Sequence, residues 1–305
     1  MSNNSLGTFM EEELESQPEL WRRAIGQSKA ERLLPADGAR IAVVGCGTSW
    51  FMAQSYAAAR EGAGKGVTDA FPASEAFLNH NSAGRQYDAV IALTRSGTTT
   101  EVLELLAALR GKVPTVAVIG DVNSPATNLA DTIIGLPYAD EKSVVQTRFA
   151  TSTLAYLLTS LGIELDDAID QARGAVTEPV PQELLEAEQF TFLGTGWTVG
   201  LAHEAALKMR EAVQGWTESY PAMEYRHGPI SVAAPGRVTW LFGAQPEGLD
   251  AEMAPTGGLY MNAGKHPLAE LARVHKVTLE RARARGLNPD VPRNLTRSVV
   301  LNPTA

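Results

Sequence analysis

Arg40-Ile-Ala-Val-Val-Gly-Cys-Gly-Thr-Ser-Trp50 is the stretch from which the fold can be read. Ile41–Val44 is an unbroken apolar run, as expected of a strand buried on both faces of a parallel sheet, and it stops at two closely spaced glycines. Thr48 or Ser49 stands where a helix cap is expected, and the helix that follows carries Phe51, Met52, Tyr56 and Ala57 to about Glu61. The same pattern returns at Leu193-Gly-Thr-Gly-Trp-Thr198, again ahead of a helical stretch. An internal duplication of one α/β unit is the simplest account.

Outward from the first copy, strands are predicted at Val67–Ala70, Tyr87–Thr94, Val113–Ile119 and Thr132–Leu136. Helices are predicted from Pro72 and Ser74 through Leu78, and at Glu101–Arg110, Ser124–Ala130, Phe149–Leu161 and Asp166–Ala175. Residues 8–30 read as an amphipathic helix broken near Pro18, with Phe9, Met10, Leu14, Leu20, Trp21 and Ile25 apolar. Strands alternating with helices predict a doubly wound parallel sheet between helical layers. Glu178-Pro-Val-Pro181 reads as a linker, dividing the chain into 1–177 (N-terminal helix plus first unit) and 178–305 (a shorter second unit with a C-terminal tail). Past the second glycine turn, Val238–Phe242 and Leu259–Met261 are the only other clear strands, and a helix runs from Pro267 to about Arg285. Ser298–Leu301 reads as a last strand or as an arm over a site.

The 305 residues carry a formal charge of −9, which argues against a nucleic-acid coat or an anionic membrane as partner. One cysteine, Cys46, excludes an intrachain disulfide and fits a reducing compartment. The acidic N-terminus lacks the build of a signal peptide, and no apolar run reaches membrane-spanning length; a soluble cytoplasmic protein is expected. Gly45-Cys-Gly47 suggests a dinucleotide turn, with Asp69 near the place of the ribose-binding acid, but Trp50 occupies the position of the third glycine. The second strand–helix loop, Thr94-Arg-Ser-Gly-Thr-Thr99, points instead to a phosphomonoester. With Thr48 and Ser49 it gathers hydroxyls and backbone N–H groups at strand C-termini, where open α/β sheets bind ligands. Farther on, Glu204, Lys208 and Glu211 fall on one helix face, ahead of Arg226-His-Gly-Pro229. His80, His203, His266 and His275 show no metal-ligand spacing, so neither a metal nor another cofactor is expected.

Gly45-Cys-Gly-Thr-Ser49 and Ser96-Gly-Thr-Thr99 resemble the phosphate loops of the sugar isomerase (SIS) domain family, and Glu141-Lys-Ser-Val-Val-Gln-Thr147 resembles its third site loop. Glu204-Ala-Ala-Leu-Lys-Met-Arg-Glu211, Glu224-Tyr-Arg-His-Gly-Pro229 and Pro292-Arg-Asn-Leu-Thr-Arg-Ser298 resemble the isomerase half of the glucosamine-6-phosphate synthases. The opening segment with Gln17, Pro18 and Trp21 is closer to the ketose/aldose isomerase and deaminase members. The resemblance implies two SIS-type units and phosphate held by Ser49, Thr94, Ser96 and Thr99. It adds backbone help at Cys46 and Thr48; Arg95 stands where many relatives carry a polar residue and is expected to add charge at the phosphate. It implies Gln146 and Thr147 at the sugar, and Glu211 as the base moving a proton between C1 and C2. His227 would assist ring opening, reaching in from the other subunit of a homodimer with interface sites. Glu204, Lys208 and Arg297 become supports, Arg297 closing the pocket. The chain departs from the synthases at Arg297, where they carry an imine-forming lysine, and at Thr98, where they carry glutamate. A guanidinium stays protonated and forms no imine. With no glutamine-hydrolysing domain and Cys46 far from the N-terminus, glutamine-dependent synthesis is not expected. The expected activity is a metal-independent isomerase or isomerising deaminase of a hexose or amino-sugar 6-phosphate. The alternatives are a deglycase of 6-phosphorylated fructose-amines and a non-catalytic phosphosugar sensor.

Overall fold

The computed structural model describes residues 5–75 and 86–301. In chain order the elements are α1 (Thr8–Ala30), β1 (Ile41–Gly45), α2 (Thr48–Gly62), β2 (Thr68–Pro72), β3 (Ala89–Thr94), α3 (Thr100–Leu109), β4 (Thr115–Ile119), β5 (Thr132–Gly135) and α4 (Arg148–Ser160). They continue with α5 (Asp166–Thr177), α6 (Gln182–Glu186), β6 (Gln189–Gly194), α7 (Thr198–Val213), β7 (Thr217–Pro221), β8 (Arg237–Phe242), α8 (Leu249–Met253), β9 (Leu259–Met261) and α9 (Pro267–Ala284). The chain divides into two compact units. One holds Leu20–Glu141, Arg148–Glu164 and the segment from Thr296; the other holds the segment through Glu19, Lys142–Thr147 and Leu165–Leu295.

The first unit contains a five-stranded sheet of order β2-β1-β3-β4-β5, parallel throughout, with Ile41 opposite Thr68 on one side and Ala89 on the other. Its central strands are buried over their whole length, which is why they read as continuous apolar runs. Val102, Leu105 and Leu106 of α3 pack in one cluster with Ala42, Val44, Val90 and Ala92. The second unit contains a shorter parallel sheet of order β7-β6-β8-β9. Each sheet is the expected SIS-type α/β arrangement, and the second is one strand smaller.

Five local readings need correction. Pro18 lies inside an unbroken α1. A proline removes one helical hydrogen bond, but Met10 and Leu14 before it and Trp21 after it are fully buried, and the Trp21 indole donates to Thr151 Oγ1 at 2.9 Å. Neither Thr48 nor Ser49 caps α2: the cap position is Gly47, with φ 54°, and both hydroxyl residues already belong to the helix. β7, Thr-Glu-Ser-Tyr-Pro, was not expected as a strand because an edge strand needs no apolar alternation. The short helix at Ser124–Ala130 is only a 3-10 turn at Pro125–Asn128. The predicted helix from Pro72 shows a 3-10 turn at Ala73–Glu75; its continuation to Leu78, like His80, lies outside the described residues.

The two glycine turns share one packing device. A Cβ on Gly45 would stand 2.6 Å from Ser49 Cβ and 2.7 Å from its carbonyl carbon. On Gly194 it would stand 2.3 Å from Thr198 O and 2.6 Å from Val199 Cα. Strand and helix backbones thus approach to a distance that only hydrogen allows. Gly194→Ala is expected to cost about 3 kcal/mol in denaturant unfolding, since the obstructing atoms are backbone. A loss under about 0.5 kcal/mol would show that the turn relaxes.

Candidate functional site

In the first sheet, β1 leads through α2 to β2 on one side, whereas β3 lies on the other. The order reverses between adjacent strands β1 and β3, opening a crevice at their C-terminal ends. The loops at Cys46–Gly47 and Arg95–Thr99 leave from those ends, so the two hydroxyl segments of the sequence stand side by side. Gly97 adopts φ +62°, and a Cβ there would come 1.8 Å from Ser124 Oγ. Thr94 Oγ1 accepts the Gly97 N–H at 3.1 Å, and Ser96 Oγ accepts the Thr98 N–H at 3.2 Å. Each of these hydroxyls keeps its proton for a ligand. Ser49 and Thr99 hydroxyls have no hydrogen-bond partner among the described residues; Thr99 precedes α3 without capping it through its side chain. Ser124 Oγ is buried and likewise unpartnered. Cys46 is half-buried, its thiol pushed up to about 11 by burial and then by Glu101; it is a protonated packing residue.

Arg95 is 3 % exposed and does not stand free for an anion. Its Nη1 lies 3.7 Å from Glu141 Oε2, and its Nη2 donates to Arg297 O at 2.8 Å. Arg297 in turn donates to the Glu141 carbonyl and pairs with Asp140 Oδ1 at 2.6 Å. The tail continues with Ser298 Oγ 2.8 Å from Thr98 Oγ1, Val299 O accepting the Thr100 N–H, and Leu301 N donating to Thr100 Oγ1. Ser298–Leu301 is therefore an arm laid on the second loop and the start of α3, and it is not a strand.

In the second-sheet unit, α7 carries Glu204, Lys208 and Glu211 on one face. Lys208 Nζ lies 2.5 Å from Glu211 Oε2 and 3.5 Å from Glu204 Oε1. Glu204 and Lys208 are completely buried, while the Glu211 side chain keeps 20 % exposure. Glu211 also lines a cavity of about 230 Å³ with Gln214, Asn288, Pro292 and Arg293. One carboxylate thus reaches open space while the pair behind it holds it in place. His275 on α9 is fully buried, its pKa pulled down to about 3 by desolvation and then by the Lys208 charge. His227 lies in a 3-10 turn, exposed, and its ring has no partner among the described residues.

Thr147 is fully buried, and Gln146 Oε1 is buried without a hydrogen-bond partner among the described residues. Their segment is anchored by a residue that sequence reasoning missed: buried Glu13 accepts the N–H groups of Lys142 and Ser143 and the Ser143 hydroxyl. Asp290 was missed as well; its carboxylate accepts the Phe9 and Met10 N–H groups and so caps α1. Nothing local marks either residue, because their partners lie more than a hundred positions away. The second glycine turn is no second phosphate cradle. Thr198 Oγ1 accepts the Thr195 N–H at 2.8 Å and reaches Phe242 O at 2.8 Å, so its hydroxyl is used internally. Among the described residues no group of three or more His, Cys, Asp or Glu is placed to hold a metal ion, and no helix is long and apolar enough to cross a membrane.

A sequence profile of the SIS domain matches residues 35–161, which run from the approach to β1 through α4. The chain is 27 % identical over 303 residues to a glutamine–fructose-6-phosphate aminotransferase (isomerizing) of Sulfolobus acidocaldarius, covering 86 % of this chain and 50 % of the relative. It is 27 % identical to the Pyrococcus horikoshii enzyme of that name, covering 96 % and 58 %. The chain therefore spans about half the length of the curated relatives it matches. Among solved structures, glucosamine-6-phosphate deaminase of Thermotoga maritima superposes with a TM-score of 0.81 at 21 % identity, covering 96 % of this chain and 100 % of the other. Tagatose-6-phosphate ketose/aldose isomerase of Escherichia coli gives 0.79 at 19 %, covering 100 % and 99 %. The match to the SIS domain thus covers the first-sheet part of the chain, residues 35–161, and the chain as a whole shares its two-sheet fold with these two solved structures.

Proposed function

We propose that the protein is an isomerase, or isomerising deaminase, of a hexose or amino-sugar 6-phosphate. The observation that carries this reading is the crevice between β1 and β3, whose Ser49 and Thr99 hydroxyls have no partner within the described residues. Together with Thr94, Ser96 and the backbone around Cys46 and Thr48, they suit a phosphate held by neutral donors. Gln146 and Thr147 approach the sugar, and Glu211 carries the proton between C1 and C2, one carboxylate sufficing for removal and return. His227 assists ring opening; its exposed, unpartnered ring fits a role in the site of a second copy of the chain, in a homodimer. Arg95 and Arg297 are positioning residues that fasten the tail to the second loop. At the level of the sequence duplication we retain 1–177 as the N-terminal helix plus the first SIS-type repeat and 178–305 as the shorter second repeat with the C-terminal tail.

The test is incubation with a panel of sugar 6-phosphates and amino-sugar 6-phosphates in deuterated water. Deuterium at C1 or C2 of one of them is the expected result, and no exchange with any of them overturns the reading. For the phosphate seat, Ser49→Ala and Thr99→Val are each expected to weaken inorganic phosphate binding about tenfold by calorimetry, as lost hydrogen bonds to a charged group do. Unchanged affinity in both variants would remove the crevice as the anion site.

A further inference from the structure

A second cavity, of about 540 Å³, lies in the first-sheet unit and is lined by the ends of α1, α2 and α4 with the segment Leu33–Asp37. Crossover helices end where the strands of a parallel sheet begin, so this cavity is at the end of the sheet opposite the phosphate loops. We propose that it binds a small hydroxylated amine, taken up as the cation.

Five of the fifteen residues that line it carry hydroxyls: Ser28, Tyr56, Tyr156, Thr159 and Ser160. Ser160 Oγ donates to Leu157 O at 2.6 Å, Ser28 Oγ donates to Tyr156 O at 2.8 Å, and Tyr156 donates to Glu31 Oε2 at 3.2 Å. Thr159 is 9 % exposed, and its buried Oγ1 has no hydrogen-bond partner among the described residues, an uncommon state for a hydroxyl. Of the charged residues in the wall, Lys29 and Asp37 have ion-pair partners, and the Arg60 guanidinium is taken up by neutral acceptors. Arg60 is used up on the carbonyls of Ala36, Ala39 and Gly66 and the Thr68 hydroxyl. Lys29 faces Glu164 at 3.5 Å and Asp37 holds Lys65 at 2.6 Å, while Arg32 stands exposed on the rim. Glu31 is the carboxylate without a cation: it is half-buried, and among the described residues it accepts from neutral donors only, the Gln27 amide at 3.2 Å and the Tyr156 hydroxyl. Three helix C-termini add their carbonyl ends, which favour positive charge. A cavity of this size holds a monosaccharide-sized solute, and its hydroxyl lining suits a polar one.

Calorimetric titration of the full chain with 2-amino-2-deoxyglucose and with glucose tests this, because the two differ at one ammonium-for-hydroxyl position. The amine is expected to bind saturably at one site, at least about tenfold more tightly than glucose. Glu31→Gln is expected to weaken it about tenfold, and the near-isosteric Thr159→Val about threefold, with saturating inorganic phosphate making no difference. Equal binding of glucose, displacement by phosphate, parental affinity in folded Thr159→Val, or no saturation up to about 50 mM would each overturn the proposal. The result is independent of whether the phosphate loops serve an isomerase.

Discussion

On the proposed function, Glu211→Gln is expected to lower deuterium incorporation into the sugar phosphate by about a thousandfold or more, while inorganic phosphate affinity stays within about twofold. Glutamine keeps the size of the side chain but cannot carry a proton, and the phosphate hydroxyls are on other residues. The charge arrangement lets this variant fold. Lys208 is fully buried between two carboxylates, and removing Glu211 still leaves the completely buried Glu204 to balance it. Lys208→Met is a different experiment. It strands two carboxylates, one of them fully buried, and is expected to destabilise the fold by about 3–5 kcal/mol. A Glu211→Gln protein that exchanges deuterium at the parental rate would remove this residue from the chemistry, and one that fails to bind phosphate would indict its folding instead.

Acid stability is the second large effect. Two histidines of the second-sheet unit are held neutral: burial lowers His275 from 6.5 to about 3, and His266 from 6.5 to about 4. His266 has a structural reason to remain neutral, since its Nδ1 accepts the Leu268 N–H at 3.2 Å as the cap of α9. Burial lowers His203 as well. Each folded-state value lies below the unfolded one, so the unfolded chain takes up protons first. The contribution to stability is complete above pH 6.5, falls as pH drops, and levels off only below the folded values. Urea unfolding should therefore show a loss on the order of 2 kcal/mol for each of His275 and His266 between pH 6.5 and pH 4.5. Glu11 adds to the decline at lower pH, because its hydrogen bond to Arg283 holds its carboxyl below the usual range. His266→Asn keeps a capping acceptor and cannot titrate, so its stability curve should be flatter by one histidine. If that curve follows the parental one down to pH 4.5, the cap is not what senses the proton.

The fold class was legible because it rests on local patterns. Ile41–Val44, Ala89–Leu93 and Val116–Ile119 are apolar at consecutive positions, and a strand flanked by helices on both faces has no alternative composition. The glycine turns were legible for a similar reason: at Gly45 and Gly194 any side chain would strike the following helix. β7 was not, since its half-exposed Thr-Glu-Ser-Tyr-Pro owes its strand conformation to pairing with β6.

For the candidate site, residue types and spacing sufficed to bring out the hydroxyl loops and the Glu204, Lys208 and Glu211 face, because loop chemistry and helical periodicity are properties of short segments. What the hydroxyls do with their hydrogen bonds was decided only in three dimensions. Thr198, which holds in the second glycine turn the place of Ser49 in the first, uses its hydroxyl on Thr195 and Phe242, whereas the Ser49 hydroxyl is left without a partner among the described residues. Arg95 reads as a cation beside a phosphate loop, yet its guanidinium meets Glu141 and the tail. Glu13, which holds the backbone of Lys142 and Ser143, and Asp290, which caps α1, could not be singled out at all. The sequence alone determined which groups are present and which share a strand, a turn or a helix face. The tertiary structure alone decided which of them are already satisfied, because a hydrogen bond or ion pair closed by a residue a hundred or more positions away leaves no mark on the local pattern.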